Sequence, residues 1–270
     1  MKCQRVMGIL EKLAPKRLAE HWDNPGLQVG NPEQKVSKLL VCLDVSQPVV
    51  ELAIREQADM IISHHPMMLF KGLLAIRTDS YDGKMLQTLL SRNIAVYSAH
   101  TNLDIAKGGC NDILAALCGL ERVEGFVPAE GDTDESMGRI GYVRSPIPLE
   151  EFAHSLCQKL NTSYVRLVRG GKATVNKVAL CSGAGADLIS KAAFRGADLF
   201  ITGDLKYHEA QQAFKQGINI IDAGHFATEF PMVKALAAYL RDELAKTGEQ
   251  LEVIEDDISQ DFFQVINREN

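Results

Sequence analysis

Ala58-Asp59-Met60-Ile61-Ile62-Ser63-His64-His65-Pro66 is the stretch on which the reading of this chain turns. Met60, Ile61 and Ile62 form an apolar run without polar alternation, the pattern of a strand buried on both faces of a parallel sheet. The run ends in two adjacent imidazoles and then a proline. A rigid strand therefore delivers two nitrogen ligands to one place. Imidazole is the commonest protein metal ligand, and its neutral form is available near neutral pH.

Outward from this strand, apolar runs and helical periodicities alternate. Residues 39–43 read as a strand ending at Asp44, 48–57 as a helix, 84–92 as a helix, and 94–97 as a strand ending at His100 and Asp104. Gly108-Gly109 opens a helix over 110–118. Upstream, Val6, Ile9, Leu10 and Leu13 stand at helical spacing. Residues 20–27 form a turn-rich loop that carries the single tryptophan, Trp22, either plugging a core edge or walling a substrate site. This alternation predicts βαβ units around a mostly parallel sheet.

From 121 to 138 the composition turns polar, and Glu130-Gly131-Asp132-Thr133-Asp134-Glu135-Ser136 reads as an acidic surface loop between two halves. Beyond it, strands are expected at 140–143, 163–168, 175–181, 199–202 and 218–222, with helices at 149–160, 186–195 and 207–216. Thr228 is placed to cap a final long helix reaching about residue 246, with Pro231 in its first turn. The tail 251–266 reads as a last strand or short helix. The division expected is a first α/β lobe at 1–125 and a second at 126–270, the C-terminal helix packing back on the first.

The two halves read as an internal duplication. Ala58-Asp59-Met60-Ile61-Ile62-Ser63-His64-His65 aligns with Ala197-Asp198-Leu199-Phe200-Ile201-Thr202-Gly203-Asp204. His100 and Asp104 align with His225 and Glu229, each pair separated by three residues. The repeat puts the polar strand ends of both halves outside the carboxyl edges of their sheets, where open α/β folds bind ligands.

His64, His65, Asp104, His225 and Glu229 then offer three imidazoles and two carboxylates. A structural zinc site closes with four ligands and usually includes Cys. This richer set suits two divalent ions sharing a carboxylate, about 3.5–4 Å apart, that activate water. Zn, Fe, Mn, Ni and Co are all compatible with mixed N/O donors. His100 reads as a direct ligand, a partner orienting Asp104, or a proton shuttle. Asp204 and His208 either join the site or cap the helix beginning near 207. His21 and His154 read as surface or packing residues.

The chain has 270 residues, 46% hydrophobic and 24% charged, with a net charge of −6. No basic arm or cluster favours nucleic acid or an anionic membrane as a primary partner. The six cysteines include no C-x-x-C pair and read as buried free thiols of a reducing compartment. The N-terminus lacks the apolar core of a signal peptide, and cytoplasmic residence is expected.

Ser-His-His-Pro at 63–66, His-Thr-Asn-Leu-Asp at 100–104, Thr-Gly-Asp at 202–204, Gly-His-x-x-x-Glu at 224–229 and the early Trp-Asp-Asn-x-Gly-Leu-x-x-Gly at 22–30 resemble the GTP cyclohydrolase I type 2 homologs, the NGG-interacting-factor-three-like family. The resemblance implies two α/β lobes with a dinuclear metal site in the cleft between them. The ligands it implies are His64, His65, Asp104, His225 and Glu229, in a homohexameric toroid of the compact form. The activity it implies is a metal-dependent hydrolase that opens the guanine ring of GTP, giving formate and dihydroneopterin triphosphate. No Walker-type loop is present for the triphosphate, so Arg77, Lys107, Arg139 and Lys206 are the candidates to supply charge. A phosphoesterase on the same site, or a non-catalytic metal-binding regulatory ring, are the rival readings.

Overall fold

Strands β2 (Lys38–Cys42), β3 (Met60–Ser63) and β4 (Ala95–Ser98) are buried nearly throughout, as continuous apolar runs require. In the computed structural model, which describes residues 1–67, 75–128 and 135–266, they lie parallel in the order β4-β3-β2. A short antiparallel strand, β1 (Gly26–Val29), edges β4. Alternate residues feed two cores. Leu39, Val41, Met60, Ile62, Ala95 and Tyr97 face one side, while Leu40, Cys42, Ile61 and Val96 face the other. The first face is covered by α1 (Cys3–Leu13), the second by α2 (Gln47–Arg55) and α3 (Tyr81–Ser91).

Two short helices follow β4: α4 (Thr101–Ile105) and α5 (Cys110–Cys118). The latter joins the halves, since Cys110 packs in the α1-side core of the first sheet while Leu114, Ala115 and Cys118 pack against the second sheet. The second sheet runs β5-β6-β8-β9-β10-β7, built from β5 (Leu120–Pro128), β6 (Ser136–Pro148), β7 (Arg166–Val168), β8 (Thr174–Ala184), β9 (Leu199–Gly203) and β10 (Asn219–Asp222). Its centre, β8-β9-β10, is parallel, and its flanking pairs are antiparallel. One face carries α5 and α6 (Leu149–Lys159). The other carries α7 (Ile189–Phe194) and α8 (Tyr207–Gln216).

After β10 come α9 (His225–Glu229) and α10 (Pro231–Thr247). The buried face of α10, including Val233, Leu236, Ala237 and Leu240, completes the first core. Strand β11 (Glu252–Glu255) then pairs parallel with β2. The chain thus returns to its first sheet after building its second.

Two local readings are corrected. Among the described residues of the polar stretch 121–138, strand flanks the expected loop on both sides: β5 pairs antiparallel with β6 from Leu120↔Val143 to Pro128↔Ser136. It carries no apolar signal because β5 is largely exposed. Of the acidic loop, residues 130–134 lie outside the described residues. Thr228 does not cap the last helix, because it sits inside α9, where its Oγ accepts from Gly183 N and faces the carbonyls of Gly224 and His225. All six cysteines are free thiols, five of them buried. Among the described residues, no helix is long and apolar enough to cross a membrane.

Arg139 is also not a phosphate-binding candidate. Its guanidinium is buried and bonded to Asp112 (2.6 and 2.9 Å) and to the carbonyls of Ser136, Gly138, Ile105 and Ala106. It clamps the end of α4 and the start of α5 onto β6, beneath Asp104. Replacing one partner of a buried ion pair leaves the others unsatisfied, so Arg139→Met should cost about 3 kcal/mol in denaturant unfolding. A loss below about 1 kcal/mol would show that the clamp contributes little.

Candidate metal centre

The first sheet aligns its strand ends. Cys42 pairs with Ser63, and Ser63 with Ser98, so Asp44, His65 and His100 each stand two residues beyond one row. The ladder continues past β3, with His64 N donating to Cys42 O and His65 N to Leu43 O. Both imidazoles are therefore carried on ordered backbone.

The opposing groups come from the second sheet. Strand β9 ends at Gly203, and the next residue, Asp204, has a φ of 54° that turns the chain aside. After β10, Gly224 turns the chain into α9, whose single turn places His225 and Glu229 on one face. Gly183 at the end of β8 packs against that carboxylate. It has φ of +60°, and a Cβ there would lie 2.1 Å from Glu229 Oε1. Only glycine fits.

The side chains meet as follows. Each Nδ1–H is anchored outward: His64 to Ala99 O (2.8 Å), His65 to Asp44 (2.7 Å), His100 to Asp23 (2.8 Å) and His225 to Asp204 (2.7 Å). Such anchoring fixes ring orientation and leaves Nε2 as the ligand atom. The Nε2 atoms of His65 and His225 lie 2.9 and 3.0 Å from Glu229 Oε2, and 3.3 Å from each other. His64 Nε2 lies 3.6 Å from Asp104 Oδ1 and 3.8 Å from Glu229 Oε1. It is fully buried and has no hydrogen-bond partner among the described residues. A buried polar atom without a partner is costly, and a cation held between His64, Asp104 and Glu229 would satisfy it. The donor set therefore fits metal ions on the chain's own geometry. Three overlapping groups, His64/His65/His100, His64/Asp104/Cys110 and His65/His225/Glu229, each could hold one.

The electrostatics agree. Burial opposes charge on His65 and His225, yet the hydrogen bonds and charges of their carboxylate partners prevail, raising His65 to about 10 and His225 to about 9. Burial likewise opposes the Glu229 carboxylate, but the surrounding imidazoles hold it well below the usual range. Burial dominates at Asp104 and raises it despite His64. Without a metal, protons on imidazoles supply the positive charge that this carboxylate pair requires.

All five expected ligands thus converge, and His100 joins them, its ring 5.2 Å from that of His64 and 5.6 Å from that of His65. Trp22 lies edge-on to His100 at 6.1 Å. Asp204 belongs to the site as the anchor of His225. His208 does not: it is exposed and packs against Tyr207. His21 and His154 are exposed. Sequence reasoning passed over Asp23, Asp44, Cys110 and Ser182. Asp23 is held by Thr101 and His100, at about 2: burial would raise it, but those hydrogen bonds prevail. Ser182 Oγ reaches Asp104 at 3.4 Å. Asp44 could have been found, since it ends β2 as the imidazoles end β3.

Comparison with known proteins matches this picture. Residues 1–261 match the family Duf34/NIF3 (NGG1p interacting factor 3). A Clostridium acetobutylicum protein named "GTP cyclohydrolase 1 type 2 homolog" is 34% identical over 249 residues, 92% of this chain and 92% of its own. A Clostridium perfringens protein of the same name is 33% identical over 244 residues, 90% of this chain and 93% of its own. Among solved structures, a Bacillus cereus protein related to NIF3 superposes with a TM-score of 0.91 at 27% identity, covering 98% of this chain and 99% of that one. The chain belongs to the Duf34/NIF3 family.

Proposed function

We propose that this protein is a divalent-metal-dependent hydrolase of a small molecule, holding two metal ions between its lobes. The observation that carries the reading is the convergence of three outward-anchored imidazoles on Asp104 and Glu229, with His64 Nε2 buried and unpaired. His64, His65, Asp104, His225 and Glu229 are the proposed ligands. Glu229 suits a shared carboxylate, since one oxygen faces His64 and the other faces His65 and His225. When bound, such ions supply Lewis acidity and lower the pKa of water. Asp44, Asp204 and the Ala99 carbonyl hold the rings in register. His100, with Nδ1 tied to Asp23, keeps Nε2 able to take and return a proton, the role proposed for it in catalysis. The name carried by the Clostridium relatives makes GTP ring-opening the reference reaction, with formate as its marker.

The assembly proposed with this reading is a homohexameric ring, and the lobes are taken as 1–125 and 126–270, with α10 and β11 of the latter packing back on the first. Exposed Phe194, Tyr207 and Phe214 on α7 and α8 support a buried interface on that face. Light scattering should give a particle six times the mass of the chain, and a monomer at micromolar concentration would contradict the ring.

Elemental analysis of protein purified without added metal should find divalent ions in the wild type and their loss in Glu229→Ala. Full occupancy in that variant would overturn the ligand assignment. A panel of GTP, nucleotides and phosphodiesters, with formate and phosphate followed separately, distinguishes ring-opening from phosphoester hydrolysis.

The sign of the pH dependence follows from His65 and His225. Both sit above the usual 6.5, so their protonated forms stabilise the metal-free fold fully below about pH 6.5. That contribution fades as pH rises through 9 and 10. The denaturation midpoint of metal-free protein should fall over this window, and metal uptake at pH 7.5 should release protons. A flat profile with no proton release would contradict the arrangement.

A further inference from the structure

Two cavities open on the imidazoles, and their linings identify what can occupy them. The larger, about 600 Å³, lies beside His65 and His225 and is walled by Tyr164, Phe226, Phe262 and Phe263. The second, about 520 Å³, lies beside His65 and His100 and is walled by Met67, Tyr81, Met85 and the same Phe262. Phe262 and Phe263 belong to the segment after β11 and are 81% and 76% exposed. Aromatic faces left open next to a polar cluster are the usual platform for a flat ring.

The charge of the linings is the second observation. Asp44, Asp204, Asp222 and Asp261 line the larger cavity, and Asp44 and Asp82 the second. Among the described residues, Arg166 is the only arginine or lysine in either lining. It is already bonded to Asp222 and to the Leu205 carbonyl. Arg77, Lys107, Arg139 and Lys206 line neither cavity. Arg139 is buried in its clamp, and Arg77 is paired with Asp79. Two divalent ions would bring four positive charges. Asp104, Glu229, Asp44 and Asp204 offset these, Arg166 offsets Asp222, and Asp82 and Asp261 remain. The loaded neighbourhood therefore carries no surplus positive charge for a polyanion.

We propose that the metal-side cavities take a planar aromatic or heteroaromatic ring carrying at most one anionic group, stacked on the Phe262–Phe263 wall, and that a triphosphate is disfavoured. The inference rests on the hydrolase reading for its charge count, and on the aromatic lining alone for the ring. It separates the nucleobase part of GTP, which suits the lining, from the triphosphate, which meets carboxylates. Like charges brought together in a partly desolvated site oppose binding.

The test is equilibrium binding of guanosine, uridine, GMP and GTP to full-length protein, metal-loaded and metal-free, with metal content measured in the same samples. Guanosine or GMP should bind about tenfold or more tightly than GTP to loaded protein, and Phe262→Ala and Phe263→Ala should each weaken guanosine about fivefold or more without changing metal content. GTP binding more tightly than GMP overturns the charge argument, and guanosine affinity unchanged in both variants overturns the stacking wall. Failure of all four probes overturns the proposal as a whole. Absence of metal in the wild type marks failure of the hydrolase reading instead; guanosine binding to that metal-free protein then supports the ring platform, and no binding overturns it.

Discussion

The Glu229 carboxylate is the constraint on which the structure turns. It is buried, it comes from the second sheet, and it lies within 3 Å of His65, a residue 164 positions earlier on the first. An isolated carboxylate in such a place would be strongly destabilising. It persists because three imidazoles surround it, each aimed by an anchor on its far side. The two sheets are thereby joined by charge where their strand ends face each other.

The surrounding structure serves that contact. Gly183 gives way to the carboxylate, Thr228 fixes the turn of α9, and Arg139 braces α4 and α5 beneath Asp104. Helix α10 and strand β11 return to the first sheet, so that the element bearing Glu229 is tied into the first core within a few residues. A buried charge cluster is poor evidence for stability in its own right. Here its cost is offset by the apolar cores on both faces of each sheet, which hold the groups in place.

Much of this was legible because parallel strands carry an unusually plain signal. The buried runs at β2, β3, β4, β9 and β10 needed no alternation to be found, and helices α5 and α8 began and ended where periodicity and glycine placed them. Polar residues at the ends of those runs pointed to the five convergent side chains. What escaped was structure without an apolar signature. β5 is an exposed antiparallel strand, β1 a four-residue edge within a turn-rich loop, and α4 and α9 are five-residue helices. The anchor Asp23 escaped for a different reason: an aspartate in a loop gives no sign that it will hold an imidazole 77 residues away.

The central claim is that donors from both sheets share the same cations. Anomalous diffraction from crystals of metal-loaded protein tests it most directly. The account predicts peaks within about 2 Å of the Nε2 atoms of His64, His65 and His225, with Glu229 touching ions on both sides. Peaks coordinated from one lobe alone, or none between the lobes, would contradict it.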